Sequence, residues 1–410
     1  MQVFEGAGIL FSVVAVFGYI NYRFIKLPDT LGITLVGLVA CLGVSLMGPS
    51  HPEMVIYAQE LVKQINFPEV VFHGLLSLLL FAGALHVDFS RLRELKVEVL
   101  LLATVGVLIS TTAVGAGFWM IAQAFGHPIS FLWCLVFGAL ISPTDPIAVL
   151  SVLKKAGASA TLESKISGEA LFNDGTAVVA FVTLVGLASG TAEFSASQVS
   201  TTLLREVLGA LVVGGIVGCL VCLMLRGMDS YPVEILTTLA VATAGYSLAE
   251  TLHVSAPLAV VIMGLVIGNH GVSTSLTEKT REHLFGFWGL LDELMNLVLF
   301  GLIGLEVIAL SFKLQDIWIG LAAIPVVLIA RAVSVAAPLT MLRRYRAASP
   351  HAVKIMTWGG LRGAISIALA LSLPDFQGRE MVIGVAYVVV VFSLLIQATT
   401  LSKLVRRYSR

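Results

Sequence analysis

Apolar runs of about 20 residues recur along almost the whole chain, and short polar segments separate them. A helix needs roughly 20 mostly apolar residues to cross the hydrocarbon core of a bilayer. Charged residues make up only 12% of the 410 residues, whereas a typical soluble domain has about 25%. The pattern therefore predicts an all-α polytopic membrane protein.

The apolar runs divide the chain into thirteen predicted transmembrane helices within one membrane domain, residues 1–410. They lie near residues 5–22, 29–47, 68–87, 98–124, 128–153, 163–188, 198–225, 233–252, 256–269, 284–308, 315–341, 351–373 and 380–401. Loop charges test this division, because lysine and arginine accumulate in cytoplasmic loops.

The loops alternate between basic and nearly uncharged when the N-terminus is placed outside. The predicted inner loops and tail contain Arg23, Lys26, Arg91, Arg93, Lys96, Lys154, Lys155, Lys165, Arg226, Lys279, Arg281, Arg343, Arg344, Arg346, Lys403, Arg406, Arg407 and Arg410. The outer loops contain Lys63, Lys313 and Arg379. We therefore predict a multi-pass protein of the cell (inner) membrane, with the N-terminus outside and the C-terminus in the cytoplasm.

Ionisable and polar residues inside the predicted spans are the next informative feature, because they are expensive at membrane depth and usually functional. They are Asp145, Glu169, Asn173, Asp174, Glu306, Arg331, Lys354 and Arg362, and a weaker polar face on the tenth span contains Asp292, Glu293 and Asn296.

The fifth span contains the segment LISPTDPIAVL, residues 140–150. Its two prolines, Pro143 and Pro146, bracket Thr144 and Asp145. Proline removes a backbone donor and clashes one turn back, at a cost of ~3 kcal/mol or more inside a helix, and it pushes the preceding residue toward an extended conformation. We therefore predict an unwound segment whose freed backbone lines a cavity or is buried by protein.

The twelfth span contains TWGGLRGAISIA, residues 357–368, in which Gly359, Gly360 and Gly363 surround Arg362. Close helix packing would explain the glycines but not the arginine. Two interrupted helices at corresponding positions of two halves indicate an inverted-repeat transporter with a midplane site. Spans 5 and 12 are the predicted interrupted pair.

Asp174, in the segment SGEALFNDGTAVVAF, is the predicted exchange group. Burial favours the protonated form of a carboxylate, and the deprotonated form offers oxygen ligands, which hard cations prefer. A group that binds either a proton or a cation predicts one-for-one, electroneutral exchange. Asn173 does not titrate, so it keeps the site to one charge.

Glu169 lies five residues before Asp174, which places it about 140° away around the helix. It is therefore not expected to share an ion with Asp174, and it needs a cationic partner. Arg362 is the predicted partner, with Lys354 and Arg331 as alternatives.

Two further acids have weaker predicted roles. Asp145, at the unwound segment, is expected to compensate helix-end dipoles or to shape the site through water. Glu306 is predicted to pair with Arg331.

Three ordered motifs, SPTDPIAV, GEALFNDG and GGLRGAIS, resemble those of the monovalent cation/proton antiporter family, in its prokaryotic NhaP-like sodium/proton exchanger branch. The resemblance implies a homodimer with inverted repeats in which spans 5 and 12 cross. It implies a transport bundle around spans 3–6 and 10–13 and a dimer-interface bundle from the remaining spans.

The resemblance also implies residue roles. Thr144, Asp145 and Asp174 would form the ion site, with Thr144 and Asp174 as ligands of the transported Na⁺. Glu169 would pair with Arg362.

The chain departs from the family pattern at two positions where oxygen ligands are common. Ala170 stands where many relatives have serine, and Ala82 stands where many have glutamate. Water, Ser142 or Thr176 are the candidate replacements. The preference for Na⁺ over K⁺ is thus an expectation from the family.

Together these residues predict a secondary active transporter, not an enzyme, that exchanges Na⁺ or Li⁺ for H⁺ by alternating access and serves sodium transport and pH homeostasis. No cofactor is expected. The expected partners are the cation, the proton, the lipid bilayer and a second copy, with no nucleic acid. The alternative is K⁺/H⁺ or other cation/proton exchange on the same fold. An ion channel, which needs no titrating group, and an intramembrane aspartyl protease, whose GxGD motif is missing, are more remote.

Overall fold

A computed structural model describes residues 3–47, 50–146, 149–150, 153, 158–190, 196–228, 230–271, 278–310, 313–342 and 351–408. Regular structure in these ranges is helical. Parts of the predicted fifth span and the basic residues Lys154, Lys155, Arg343, Arg344, Arg346 and Arg410 lie outside them.

The helices follow the predicted spans closely. In chain order they are α1 (Glu5–Ile25), α2 (Asp29–Leu46), α3 (Pro52–Gln64), α4 (residues 67–85), α5 (Phe89–Ala124), α6 (Phe131–Ile141), α7 (Ala160–Ala188), α8 (Ala196–Leu225), α9 (Tyr231–Thr251), α10 (Ala256–Asn269), α11 (Glu278–Glu306), α12 (Leu314–Leu342), α13 (Ala352–Trp358), α14 (Ala364–Leu371) and α15 (Arg379–Tyr408).

Length and composition make nine helical stretches in the described ranges capable of crossing a membrane, and α6 and α10 are shorter apolar helices. The all-helical polytopic class is confirmed, while the count of thirteen spans stays a prediction. None of the predicted spans covers residues 52–64, where α3 lies. This helix is too short to span, and its Val62 packs with Cys41 and Ile308.

Capping side chains explain where two of the site's helices begin. The side chain of Asp88 accepts hydrogen bonds from the backbone of Ser90 (2.9 Å) and Arg91 (3.4 Å). Ser159 accepts one from the backbone of Leu162, 3.3 Å away. Each oxygen satisfies a donor that the first helical turn leaves unpaired. Helix α5 therefore begins nine residues before its predicted start, in a charged segment.

Three apolar clusters hold the helices together and surround the middle of the chain. One joins α1, α2 and α11 to α13–α15, a second joins α4, α8, α9 and α10, and a third joins α5, α6, α12 and α15. Helix α7 contributes to all three. Asn173 and Asp174 of α7 therefore lie where the three clusters meet.

Candidate functional site

Two helix breaks meet inside the protein, as the prolines and glycines predict. Helix α6 ends at Ile141 and is followed by non-helical residues 142–146, while residues 359–363 separate α13 from α14. The backbone N–H of Asp145 donates to the carbonyl of Leu361 at 2.8 Å. Each break thus supplies a backbone partner that the other lost, which lets unwound chain lie at membrane depth.

Glycine is required where the breaks approach each other most closely. A Cβ atom at Gly363 would lie 2.8 Å from Oδ2 of Asp145 and 3.0 Å from its Cβ. A Cβ atom at Gly360 would lie 3.0 Å from Cδ of Arg331. Both distances are at or below the closest approach of real Cβ atoms, so a side chain at either position would displace a charged group.

Arg362 binds the end of broken α6. Its Nη1 donates to the carbonyls of Ser142 (2.6 Å) and Pro143 (3.0 Å), and its side chain is buried. Its backbone N–H donates to the hydroxyl of Ser393 on α15, 2.9 Å away. A guanidinium at this point satisfies carbonyls without helical partners and compensates the negative end of the helix dipole.

The carboxylate of Glu169 pairs with Arg331 on α12. Nη1 of Arg331 donates to Oε1 and Nη2 donates to Oε2, the latter at 2.9 Å. Nε of Arg331 also donates to the carbonyl of Met356 at 3.3 Å, which ties α7 and α12 to the end of α13. This bidentate geometry is the strong form of a carboxylate–guanidinium contact.

The predicted ion pair between Glu169 and Arg362 is therefore wrong, and so is the pairing of Glu306 with Arg331. The guanidinium of Arg362 is held by the backbone carbonyls of the first break, whereas the face of α7 that bears Glu169 is turned toward α12. Arg331, which was an alternative partner, takes the role expected of Arg362.

Asn173 attaches α7 to the first break. Its Nδ2 donates to Oγ1 of Thr144 at 2.8 Å, and its Oδ1 lies 3.5 Å from the backbone N of Thr144. Both residues are buried. The amide therefore satisfies polar groups of the unwound segment and fixes Thr144 beside Asp174, the next residue of α7.

Asp174 lines a cavity of about 610 Å³. Its side chain is 6% exposed, and its Oδ1 has no hydrogen-bond partner among the described residues. Thr144 and Asp145 line the same cavity, which extends to Asp88 and Glu163 at the first turns of α5 and α7. The arrangement brings a buried carboxylate oxygen, the first helix break and a cavity large enough for several water molecules together.

The positions lacking an expected oxygen ligand differ from each other. Ala82 lines the cavity, whereas Ala170 is buried and is not among the lining residues. Neither Ser142 nor Thr176, the two side chains that could replace these ligands, lines the cavity. The hydroxyl of Ser142 contacts Ser110 and Thr111 of α5 as well as the carbonyl of Gly138, and the hydroxyl of Thr176 donates to the carbonyl of Phe172 at 3.0 Å.

A buried ion pair beside the site is not predicted from the apolar runs of the sequence. Lys165 of α7 contacts the carboxylate of Glu98 on α5, and both side chains are almost completely buried. Lys165 was assigned to an inner loop because it lies at the edge of an apolar run. Its distance of four residues from Glu169 on the same helix was the available signal that it faces protein.

Comparison with known proteins gives one family. The family model described as "Sodium/hydrogen exchanger, transmembrane" matches residues 11–407. The chain is similar to the Na⁺/H⁺ antiporter NhaP of Pseudomonas aeruginosa, with 44% identity over 396 residues that cover 95% of this chain and 93% of that protein. It is also similar to the Na⁺/H⁺ antiporter NhaH of Halobacillus aidingensis, with 33% identity over 94% of this chain and 93% of that protein.

The fold agrees with a solved structure of the same class. The sodium proton antiporter MjNhaP1 from Methanocaldococcus jannaschii, solved at pH 8, superposes with a TM-score of 0.75 over 100% of both chains, at 19% identity. The fold, the ordered motifs and the whole-length similarity to two curated antiporters agree. The chain belongs to the sodium/hydrogen exchanger family.

Proposed function

We propose that the protein exchanges Na⁺ or Li⁺ for H⁺ one for one, with Asp174 binding either the cation or the proton. Members of this family are transporters rather than enzymes, and their ions are substrates rather than cofactors. The main observation behind this proposal is the buried Oδ1 of Asp174. This oxygen has no hydrogen-bond donor among the described residues, and Asp174 lines a cavity beside a helix break.

The charges around the crossing support a single titrating group. Glu169 and Arg331 neutralise each other. Arg362 lies at the C-terminal end of α6, and Asp145 lies against Gly363 at the N-terminal end of α14. Each of these two charges is stabilised by the dipole of the helix end beside it. Asp174 is the fifth charged side chain at the crossing, and it is the one that a proton or a monovalent cation would neutralise. Because one positive charge moves in each direction, the transport cycle would move no net charge.

Asp174 and the backbone carbonyl of Thr144 would hold the cation, and water would supply the other ligands. Asn173 contributes indirectly, because its amide fixes Thr144 next to Asp174. The pattern suits a hard cation, which prefers oxygen ligands and tolerates bound water.

Alternating access requires that the site be closed toward one side at a time. We infer that the bundle containing α4–α7 and α11–α15 carries the ion and that the remaining helices form the interface of a homodimer in the lipid bilayer. The basic inner loops support a cell (inner) membrane location with the N-terminus outside. In that orientation the cavity, which reaches Asp88 and Glu163, opens to the cytoplasm.

Everted membrane vesicles test the proposal directly. The protein is expressed in cells without other Na⁺/H⁺ antiporters, a respiratory pH gradient is formed, and dequenching of a pH-sensitive dye is followed after addition of Na⁺, Li⁺ or K⁺. We expect dequenching with Na⁺ and Li⁺, and none from Asp174→Asn, which keeps the shape of the side chain but cannot exchange a proton. A larger response to K⁺ than to Na⁺ would favour the alternative function.

A matched control removes a carboxylate outside the cavity. Asp375 is exposed in the segment before α15, so Asp375→Asn should transport like the unaltered protein. Equal activity of Asp174→Asn and Asp375→Asn, at equal amounts of protein in the membrane, would refute Asp174 as the exchange group.

A further inference from the structure

A second polar group lines the cavity on α11. Asp292 is partly exposed, Asn296 is 2% exposed one turn later, and both line the cavity together with Asp174. Helix α11 packs against α4 and α14, so this wall differs from the α7 wall that bears Asp174.

The amide of Asn296 has a fixed orientation. Its Nδ2 donates to the backbone carbonyl of Asp292 at 2.7 Å and to Oδ1 of Asp292 at 3.2 Å. The opposite orientation would place oxygen against oxygen. The amide oxygen is buried and has no donor among the described residues, which is unfavourable unless a ligand satisfies the atom.

The neighbouring wall leaves room for an ion. Ala82 lines the cavity with a methyl group at a position where the family pattern often has glutamate. His86, one turn later, holds its Nδ1 2.7 Å from the carbonyl of Ala82 and also lines the cavity. The α4 wall therefore offers no carboxylate at position 82, and Asp292 supplies one from α11.

The field in the cavity favours cations. Six carboxylates line it, and the basic side chains in the lining are Arg91 and His86; the acids are Asp88, Asp145, Glu163, Asp174, Asp292 and Glu293. A cleft with one sign of charge and low-dielectric walls raises the local concentration of counter-ions.

We propose that Asp292 and the amide oxygen of Asn296 form a second binding position for a monovalent cation, which the ion occupies before it reaches Asp174. The position combines one carboxylate with a neutral oxygen, a donor set that a hard cation prefers. This proposal rests on the proposed cation exchange, to which it adds a binding position that the cation occupies before it binds Asp174.

Binding to purified protein tests whether the second position exists. ²²Na⁺ binding is measured in detergent at constant ionic strength, with choline as the replacing cation. Asp174→Asn should retain saturable Na⁺ binding, and adding Asp292→Asn should weaken that residual binding at least ten-fold. Loss of all Na⁺ binding in Asp174→Asn alone would overturn the proposal, because the second position would then hold no cation.

Transport kinetics give a second test that does not depend on the double variant. Asp292→Asn and Asn296→Leu should each raise the Na⁺ concentration for half-maximal dequenching about five-fold or more while the maximal rate changes less than two-fold. Glu293→Gln removes the same charge one residue away and should shift the half-maximal concentration less than two-fold.

The outcomes separate the two proposals. Equal shifts in Asp292→Asn and Glu293→Gln would show that only the general field of the cavity matters, and an unchanged half-maximal concentration in Asp292→Asn would also overturn the second position. Neither result bears on Asp174, whose role fails only if Asp174→Asn still exchanges ions.

Discussion

Replacing Arg331 with methionine would leave the buried carboxylate of Glu169 without its bidentate partner. Both side chains are almost completely buried, at 9% and 2% exposure. Breaking a buried pair by removing one partner costs ~3–5 kcal/mol, whereas replacing both partners with apolar residues is often nearly neutral. The contact therefore predicts strong coupling between substitutions at the two positions.

The structure allows the size of that coupling to be worked out. Arg331→Met and Glu169→Leu should each lower the free energy of unfolding by ~3–5 kcal/mol, since each leaves one buried charge. Arg331→Met additionally loses the bond to the carbonyl of Met356, worth ~1 kcal/mol. The double variant keeps only that loss and some repacking, so it should cost ~1–2 kcal/mol, and the coupling free energy should exceed ~4 kcal/mol.

Unfolding in mixed micelles with increasing SDS, followed by circular dichroism, measures these free energies. A second cycle combines Glu169→Leu with Arg362→Met. Arg362 donates to the carbonyls of Ser142 and Pro143 rather than to Glu169, so its coupling to Glu169 should be clearly smaller than that of Arg331. Stronger coupling of Glu169 to Arg362 than to Arg331 would refute the pairing of Glu169 with Arg331.

Other substitutions test the crossing and the ion site. Gly363→Ala should reduce transport at least ten-fold in everted vesicles, because its Cβ would displace Asp145; unaltered transport would show that the breaks tolerate separation. Thr144→Val should weaken exchange less than Asp174→Asn does, because it removes the hydroxyl that Asn173 holds but keeps the backbone carbonyl. Transport by the unaltered protein should not depend on membrane potential in proteoliposomes at fixed ion gradients, whereas Asn173→Asp, if it transports, should introduce such a dependence. Ala82→Glu should lower the Na⁺ concentration for half-maximal dequenching, because it adds a carboxylate to the cavity wall.

Local chemistry made the two breaks predictable. Pro143 and Pro146 remove backbone donors wherever they stand in a helix, and the glycines around Arg362 have no side chain to hold two crossing segments apart. The apolar runs likewise located the helices, because the thickness of a bilayer imposes their length. These features depend on residues within a few positions of one another.

The choice of charge partners depends instead on helix rotation and depth. Arg331 and Arg362 are both arginines in predicted spans, and nothing near either one in sequence shows which faces Glu169. Packing of α12 against α7 and α13 decides it. The same is true of Asn296, whose orphaned oxygen becomes visible only when its amide is placed against Asp292.

The bonds between the breaks also constrain how the protein is made. The carbonyls of Ser142 and Pro143 receive their donor from Arg362, about 220 residues later in the chain. Ribosomes synthesise about 5–20 residues per second, so roughly 10–40 s pass between the synthesis of these carbonyls and that of Arg362. A nascent chain that stops before Arg362 would thus leave these two carbonyls of the unwound segment without their donor, so we expect it to be less stable in the membrane than the full-length chain.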